Sequence, residues 1–146
     1  MTQPILTLTD QPTEADANVI SSGLAEYNVS KTGYRDWRPV AALLRDPDTG
    51  ETLGGMAGKT SYGLLFIDMV YLPEDMRGQD IGSRLLTMME QEGIARGCIS
   101  AFLFTMTHQA PAFYARHGWT EFGRIACDPP GTARIFMTKT LKQPQG

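Results

Sequence analysis

The stretch Arg77-Gly78-Gln79-Asp80-Ile81-Gly82-Ser83 has the residue types of a loop that holds an anion at the start of a helix. Glycine is favoured where the main chain must bend sharply or come close to a phosphate. A helix beginning there supplies unpaired N–H groups and the positive end of a dipole, and both attract anions. Asp80 stands between the glycines and puts a carboxylate where a phosphate would lie. Main-chain donors do not depend on the side chain, and aspartate tolerates left-handed and turn geometry better than most residues. The phosphate reading then requires the Asp80 side chain to point away from the anion or to cap the helix itself. Facing inward, like charges in a shielded site would oppose each other by several kcal/mol. Arg77 and Arg84 flank the loop and offset part of that charge. The segment lacks the Gly-Lys-Ser/Thr ending of a nucleotide P-loop. It also follows the fourth predicted strand, whereas a dinucleotide fold would use the turn after the first.

Other groups able to move protons are few. Asp68 is the single charge in Leu64-Leu65-Phe66-Ile67-Asp68-Met69-Val70-Tyr71-Leu72. A carboxylate in an apolar strand is costly unless it is paired or used. It is either a candidate base, or it faces an open cleft or a distant arginine. His108 follows an apolar strand in a loop. His117 falls in the last turn of a short helix, where partial positive charge is favourable. Cys98 and Cys127 lack metal-ligand spacing, so free thiols and no metal are expected.

These residues need elements to position them. Pro4–Asp10 alternates apolar residues with threonine and predicts a first strand. Thr13, three residues before Asp16, predicts a capped helix carrying Val19, Ile20, Leu24 and Tyr27 at helical spacing. Residues 38–46 predict a strand, 46–51 a hairpin turn, and the return strand carries Gly54, Gly55 and Gly58. Glycines inside a strand point to a bulge or a close backbone approach. Residues 62–73 are almost wholly apolar and read as a central strand buried on both faces. A helix follows from Ile81 to about Arg96, with Ile81, Leu85, Met88 and Met89 on one face. Residues 98–106 read as a strand. A short helix comes next, with Pro111 in its first turn and Gly118 at its end. Two further strands flank the loop Cys127-Asp128-Pro129-Pro130-Gly131. The methionines at 56, 69, 88, 89, 106 and 137 read as core filler.

The chain of 146 residues suffices for one domain, expected over 1–142 with a disordered tail at 143–146. It is 42% hydrophobic and 20% charged, an ordinary globular balance. A net charge of −3 argues against a nucleic-acid backbone binder, which presents basic stripes. No apolar run approaches the ~18 residues of a membrane helix, and the N-terminal stretch has no basic n-region. A cytoplasmic protein with no membrane partner is the expectation.

Order and motif together resemble one family. Residues 69–86, Met-Val-Tyr-Leu-Pro-Glu-Asp-Met-Arg-Gly-Gln-Asp-Ile-Gly-Ser-Arg-Leu-Leu, are similar to the signature segment of the GNAT superfamily, the acetyl-CoA-dependent N-acetyltransferases. That pattern is an apolar strand, then Arg or Gln, two residues, Gly, one residue, and Gly or Ala. Arg77, Ile81, Gly82, Leu85 and Leu86 fall in place, and Asp80 replaces the first glycine. Separately, Phe113-Tyr114, three residues, then Gly118-Trp119 resembles the family's late helix. The resemblance covers most of the chain. It implies an α/β fold: a mixed, mostly antiparallel sheet of about seven strands, splayed in the middle, with helices on both faces.

The resemblance also implies roles. The diphosphate of coenzyme A would lie on the N–H groups of Gly78, Gln79, Asp80, Ile81, Gly82 and Ser83, with Arg77 beside them. The pantetheine arm would run along Met69, Val70 and Tyr71 like an added strand. Tyr114 matches the family tyrosine that reaches the thioester sulfur as proton donor. Asp68 is on the strand where some members carry a base acting through water, and His108 or water are the alternatives. The N–H of Val70 or a neighbour would hold the oxyanion. The first helix and the 127–131 loop would wall the acceptor, with Tyr27, Tyr34, Trp37 and Trp119 as lining or as simple packing. The expected reaction moves an acetyl group from acetyl-CoA to a primary amine, a small molecule before a peptide. The second reading is a non-catalytic acyl-CoA-binding module. The family often dimerises, so a homodimer is compatible with this reading.

Overall fold

A computed structural model describes residues 2–141 of the chain, so the expected tail at 143–146 lies outside the described residues. Contacts divide the chain into two compact units, Met1–Arg35 and Asp36–Gly146.

The first unit is built on α1 (Glu14–Thr32). The predicted cap forms in full. The Thr13 hydroxyl accepts from the Asp16 N–H at 3.0 Å, and the Asp16 carboxylate accepts from the Thr13 N–H at 2.9 Å. Gly33, at φ 76°, ends the helix by donating to the Val29 carbonyl. Arg35 and Glu26 form an ion pair at 2.9 Å. The strand expected over Pro4–Asp10 is absent. Ile5, Leu6 and Leu8 are 90%, 94% and 100% exposed, and the segment joins no sheet. Alternation supplies one face of a strand, but a strand persists only where a neighbour takes up its N–H and C=O groups.

Among the described residues the second unit holds six strands: β1 (Arg38–Arg45), β2 (Thr52–Ser61), β3 (Leu64–Tyr71), β4 (Ser100–Met106), β5 (Thr120–Cys127) and β6 (Thr132–Thr140). They form one sheet in the order β1-β2-β3-β4-β6-β5, one strand fewer than expected. Among the described residues only β3 and β4 run parallel; every other neighbouring pair is antiparallel. The β1–β2 turn forms where predicted, with the Asp46 carboxylate accepting from the N–H groups of Asp48 and Thr49 at 2.7 and 3.1 Å.

Two helices, α2 (Ile81–Ala95) and α3 (Pro111–Arg116), complete this unit. Leu85, Leu86 and Met89 of α2 and Tyr114 of α3 join Leu65, Ile67, Ala101, Leu103, Ile135 and Met137 of the sheet in one core. The other face of the sheet carries aromatic rings in contact, with Phe66 and Phe102 stacked at 4.6 Å. Met56, Met89 and Met137 are core residues as expected, but Met69 and Met88 are 68% and 56% exposed. Met88 lies one residue off the buried stripe of α2. The exposure of Met69 has a different cause, which lies in β3.

Candidate active site

The strand β3 was expected to be buried on both faces, but only one face of its first half is: Leu64 is exposed and Phe66 half-buried. Leu65 and Ile67 are buried, whereas Asp68, Met69, Val70 and Tyr71 are exposed. The change occurs at a bulge. Against β2 the register runs Ala57↔Met69 and then Gly58↔Ile67, leaving Asp68 without a partner residue. An extra residue of this kind bends its strand and increases the twist. Gly58 permits the close approach, because a Cβ there would lie 1.9 Å from the Phe66 carbonyl oxygen. Gly54 does the same farther along, where a Cβ would lie 2.5 Å from the Tyr71 carbonyl oxygen. The glycines of β2 therefore mark both features that their spacing suggested.

Past the bulge β3 leaves β4. Their parallel pairing runs from Leu64↔Ser100 to Ile67↔Leu103 and stops there. The strand β4 continues to Met106, held on its far side by β6. The sheet is thus open between Asp68–Tyr71 and Phe104–Met106. Along the gap, main-chain donors and acceptors of β3 face no strand, which is the geometry an extended ligand pairs with.

The chain then turns toward α2. A short 3-10 turn, Glu74–Met76, is tied down by Arg77 Nε donating to the Leu72 carbonyl at 3.2 Å and by Gln79 Nε2 donating to the Asp75 carbonyl at 2.9 Å. Gly78 has φ 77° and Asp80 has φ 66°, both left-handed. Asp80 makes no side-chain cap bond, so the capping alternative does not hold. The first helical bond runs from the Arg84 N–H to the Asp80 carbonyl at 3.1 Å. The N–H groups of Ile81, Gly82 and Ser83 precede that ladder and remain available to an anion. Gly82 sits tightly between neighbours: a Cβ there would meet Leu72 at 3.3 Å and Phe113 at 3.4 Å. The end of β3, the front of α2 and α3 therefore converge on one place.

Tyr114 is 5% exposed and packs edge-on against Phe113 and Trp119, with ring centres 5.1 and 5.9 Å away. Burial pushes its phenol up to about 12, so it holds its proton through the whole physiological range. Among the described residues no enclosed side-chain oxygen lacks a partner. Asp68 is exposed at the bulge and joins no ion pair among the described residues. The argument from the cost of burying its charge therefore falls away, and the open-cleft alternative describes its setting. His108 is exposed in the turn after β4.

His117 does more than sit in a helix's last turn. Its Nε2 lies 2.9 Å from the Ser83 hydroxyl, across from α3 to the third residue of α2. Its ring packs on Phe113 with centres 4.8 Å apart. Its carbonyl accepts from Lys139 Nζ at 2.8 Å, and Lys139 is paired with Glu90 at 2.6 Å. Glu90 also accepts from Trp119 Nε1 at 3.2 Å. Trp119 is thus a core residue anchored to α2, not an acceptor-site wall. Nothing in the sequence pairs Ser83 with His117 or Glu90 with Lys139, because each contact depends on the return path of the chain.

A shallow depression of about 270 Å³, lined by Leu64, Ser100, Ala101, Phe102, Phe122 and Thr138, lies at the opposite end of β3 and β4. It carries no titratable side chain. Among the described residues no three His, Cys, Asp or Glu side chains are grouped to hold a metal.

Comparison with known proteins fits this geometry. Residues 11–119 match the acetyltransferase (GNAT) family. An acetyltransferase of Agrobacterium fabrum is 36% identical over 120 residues, 82% of this chain and 87% of that protein. Blasticidin-S acetyltransferase of Streptomyces morookaense is 33% identical over 114 residues, 76% of this chain and 84% of that protein. A crystal structure from Agrobacterium tumefaciens superposes with a TM-score of 0.87 at 31% identity, covering 94% of this chain and 99% of that one. By family match, relatives and fold, the chain belongs to the GNAT family of acetyltransferases.

Proposed function

We propose that the protein transfers an acetyl group from acetyl-CoA to a primary amine of a small molecule by direct attack. The observation that carries this reading is the convergence of the open β3 edge, the unpaired front of α2 and Tyr114. In this reading the diphosphate of coenzyme A rests on the N–H groups of residues 78–83, beside Arg77. The pantetheine amides pair with β3 along Met69, Val70 and Tyr71, and the thioester reaches the gap past Asp68. The residues present fit that group, since the donors are main-chain and the edge has no strand to displace.

The acceptor amine attacks the thioester carbonyl as the neutral base, because an ammonium has no lone pair. Asp68, exposed at the gap, takes the proton directly or through water, with His108 as the alternative. The oxyanion that develops is met by a main-chain N–H of β3 at Val70 or its neighbour. As the tetrahedral intermediate collapses, the C–S bond breaks and Tyr114 donates its proton to the departing thiolate. A phenol held near 12 stays protonated until that moment, which suits a donor.

A small-molecule acceptor is supported by the likeness to blasticidin-S acetyltransferase. The free thiols Cys98 and Cys127 support a reducing, cytoplasmic setting. A homodimer belongs to this reading and is checked by sedimentation. Thermal melting with saturating acetyl-CoA should raise Tm. Thiol release on a panel of small amines should then exceed background. No shift in Tm would sink the reading, and a shift without thiol release on any amine would leave a binding module in its place.

A further inference from the structure

The front of α2 carries an oddity: a carboxylate, Asp80, at the left-handed position of a loop read as an anion site. Two residues beyond Gly82's neighbour Ile81, Ser83 presents the one hydroxyl of the first turn, and the ring of His117 holds it at 2.9 Å. Two proton arrangements satisfy that contact. If Nε2 accepts, the hydroxyl proton is committed to the ring, and Ser83 offers an anion only lone pairs. If Nε2–H donates, the ring occupies a lone pair and the hydroxyl proton is free to turn outward. An anion on the neighbouring N–H groups selects the second arrangement.

We propose that His117 is a positioning residue that donates from Nε2 to Ser83 and turns the Ser83 hydroxyl into a donor for the diphosphate of coenzyme A. This inference rests on the reading of the α2 front as the coenzyme A site. It gives the loop one side-chain donor and offsets part of the charge that Asp80 brings. The ring is well placed to be a fixed donor. Phe113 packs against it as a tilted ring, centres 4.8 Å apart. The main chain behind it is pinned, because Lys139 donates to the His117 carbonyl while paired with Glu90. The same residue thus joins the helix carrying Tyr114 to the helix carrying the anion loop.

The test uses the intact protein and coenzyme A, with affinity read by calorimetry. Ser83→Ala and His117→Leu should each weaken coenzyme A about 10-fold, the size of a lost hydrogen bond to a charged group. The double variant should bind within about 2-fold of either single variant, because both break one relay. His117→Gln, which keeps a side-chain donor, should recover most of the loss. In turnover the loss should fall mainly on KM for acetyl-CoA rather than kcat. Nitrogen-15 spectra of the wild-type ring with coenzyme A bound should show a protonated Nε2. An Nδ1–H ring in the complex, or full affinity in Ser83→Ala, overturns the relay. Because both of those readings need no change at position 117, they decide the matter even if His117→Leu fails to fold. Failure of the wild type to bind coenzyme A would instead bring down the site assignment itself, along with this inference.

Discussion

Asp80 offers the sharpest quantitative test, because its backbone and its charge act separately. At φ 66° and ψ 6° its backbone lies in the left-handed region, and its side chain makes no cap bond. That conformation costs a residue with a Cβ about 1 kcal/mol. Asp80→Gly removes the strain but gives up the favourable charge at a helix front, worth ~0.3–1 kcal/mol. The net change in stability for Gly should therefore be small, between zero and about 1 kcal/mol in its favour. Asp80→Asn keeps tolerance for the left-handed region and removes only the charge, so it should lose a few tenths of a kcal/mol. Affinity should behave differently. The residue is exposed, so an effective dielectric of ~40–80 applies, and a charge pair ~6–8 Å apart then interacts by ~0.5–1.4 kcal/mol. Both variants should consequently bind coenzyme A about 2- to 10-fold more tightly at low salt. The gain should vanish near 1 M salt, where the screening length is about 3 Å. Calorimetry at both salt concentrations, alongside urea melts, separates the effects. Unchanged or weaker binding in Asp80→Asn at low salt would refute the reasoning, since the carboxylate, though pointing away, would then lie too far from the diphosphate to repel it.

Tyr114→Phe should lower kcat about 100-fold while coenzyme A still binds, and unaltered turnover dismisses the phenol as proton donor. Burial holds the folded phenol up at about 12, above the ordinary value of about 10. Its contribution to stability is therefore complete below pH ~10 and is lost as pH rises from there toward 12, by up to about 3 kcal/mol. The Phe variant should lack that part of the alkaline slope in denaturant melts across this window. Gly58→Ala should cost about 3 kcal/mol or more, because its Cβ would sit on the Phe66 carbonyl; a wild-type melting curve would mean the bulge is not as close as described. Glu90→Gln should destabilise by about 2 kcal/mol, since Lys139 would lose its counter-charge in a half-buried setting, and a loss no larger than that of an exposed pair would show the network to be loose. Asp68→Asn should shift the pH–rate profile, and an unmoved profile would pass the role of base to His108 or water.

Much of the architecture was legible before any coordinates, and the reasons are local. Thr13 and Asp16 cap α1 from within four residues of each other, so their reciprocal bonds can be read directly from the sequence. The glycines of β2 signalled a bulge because only a missing side chain explains their place in a strand. The element order from β1 to β6 followed from apolar periodicity and turn residues. Where the reading failed, the answer lay outside the segment. Pro4–Asp10 alternates as a paired strand would, and alternation alone carries no information about a neighbour. The second half of β3 is apolar yet exposed, because β4 stops pairing at Leu103 and not because of anything in Met69, Val70 or Tyr71. The Ser83–His117 contact spans 34 positions. It exists only because α3 returns against the front of α2, and neither residue type announces it.

The break in pairing after Ile67 has a consequence for recognition. It places an unpaired strand margin in the middle of the sheet, between β3 and β4, and not on an outer edge strand. In the proposed reading, a ligand there would be read by its spacing of amide groups and not by its side groups. A carrier with peptide-like linkages would be recognised by main chain alone. The outward side chains of Met69 and Tyr71 would then be free to drift and tune the acceptor, while a proline at either position would close the margin to the donor.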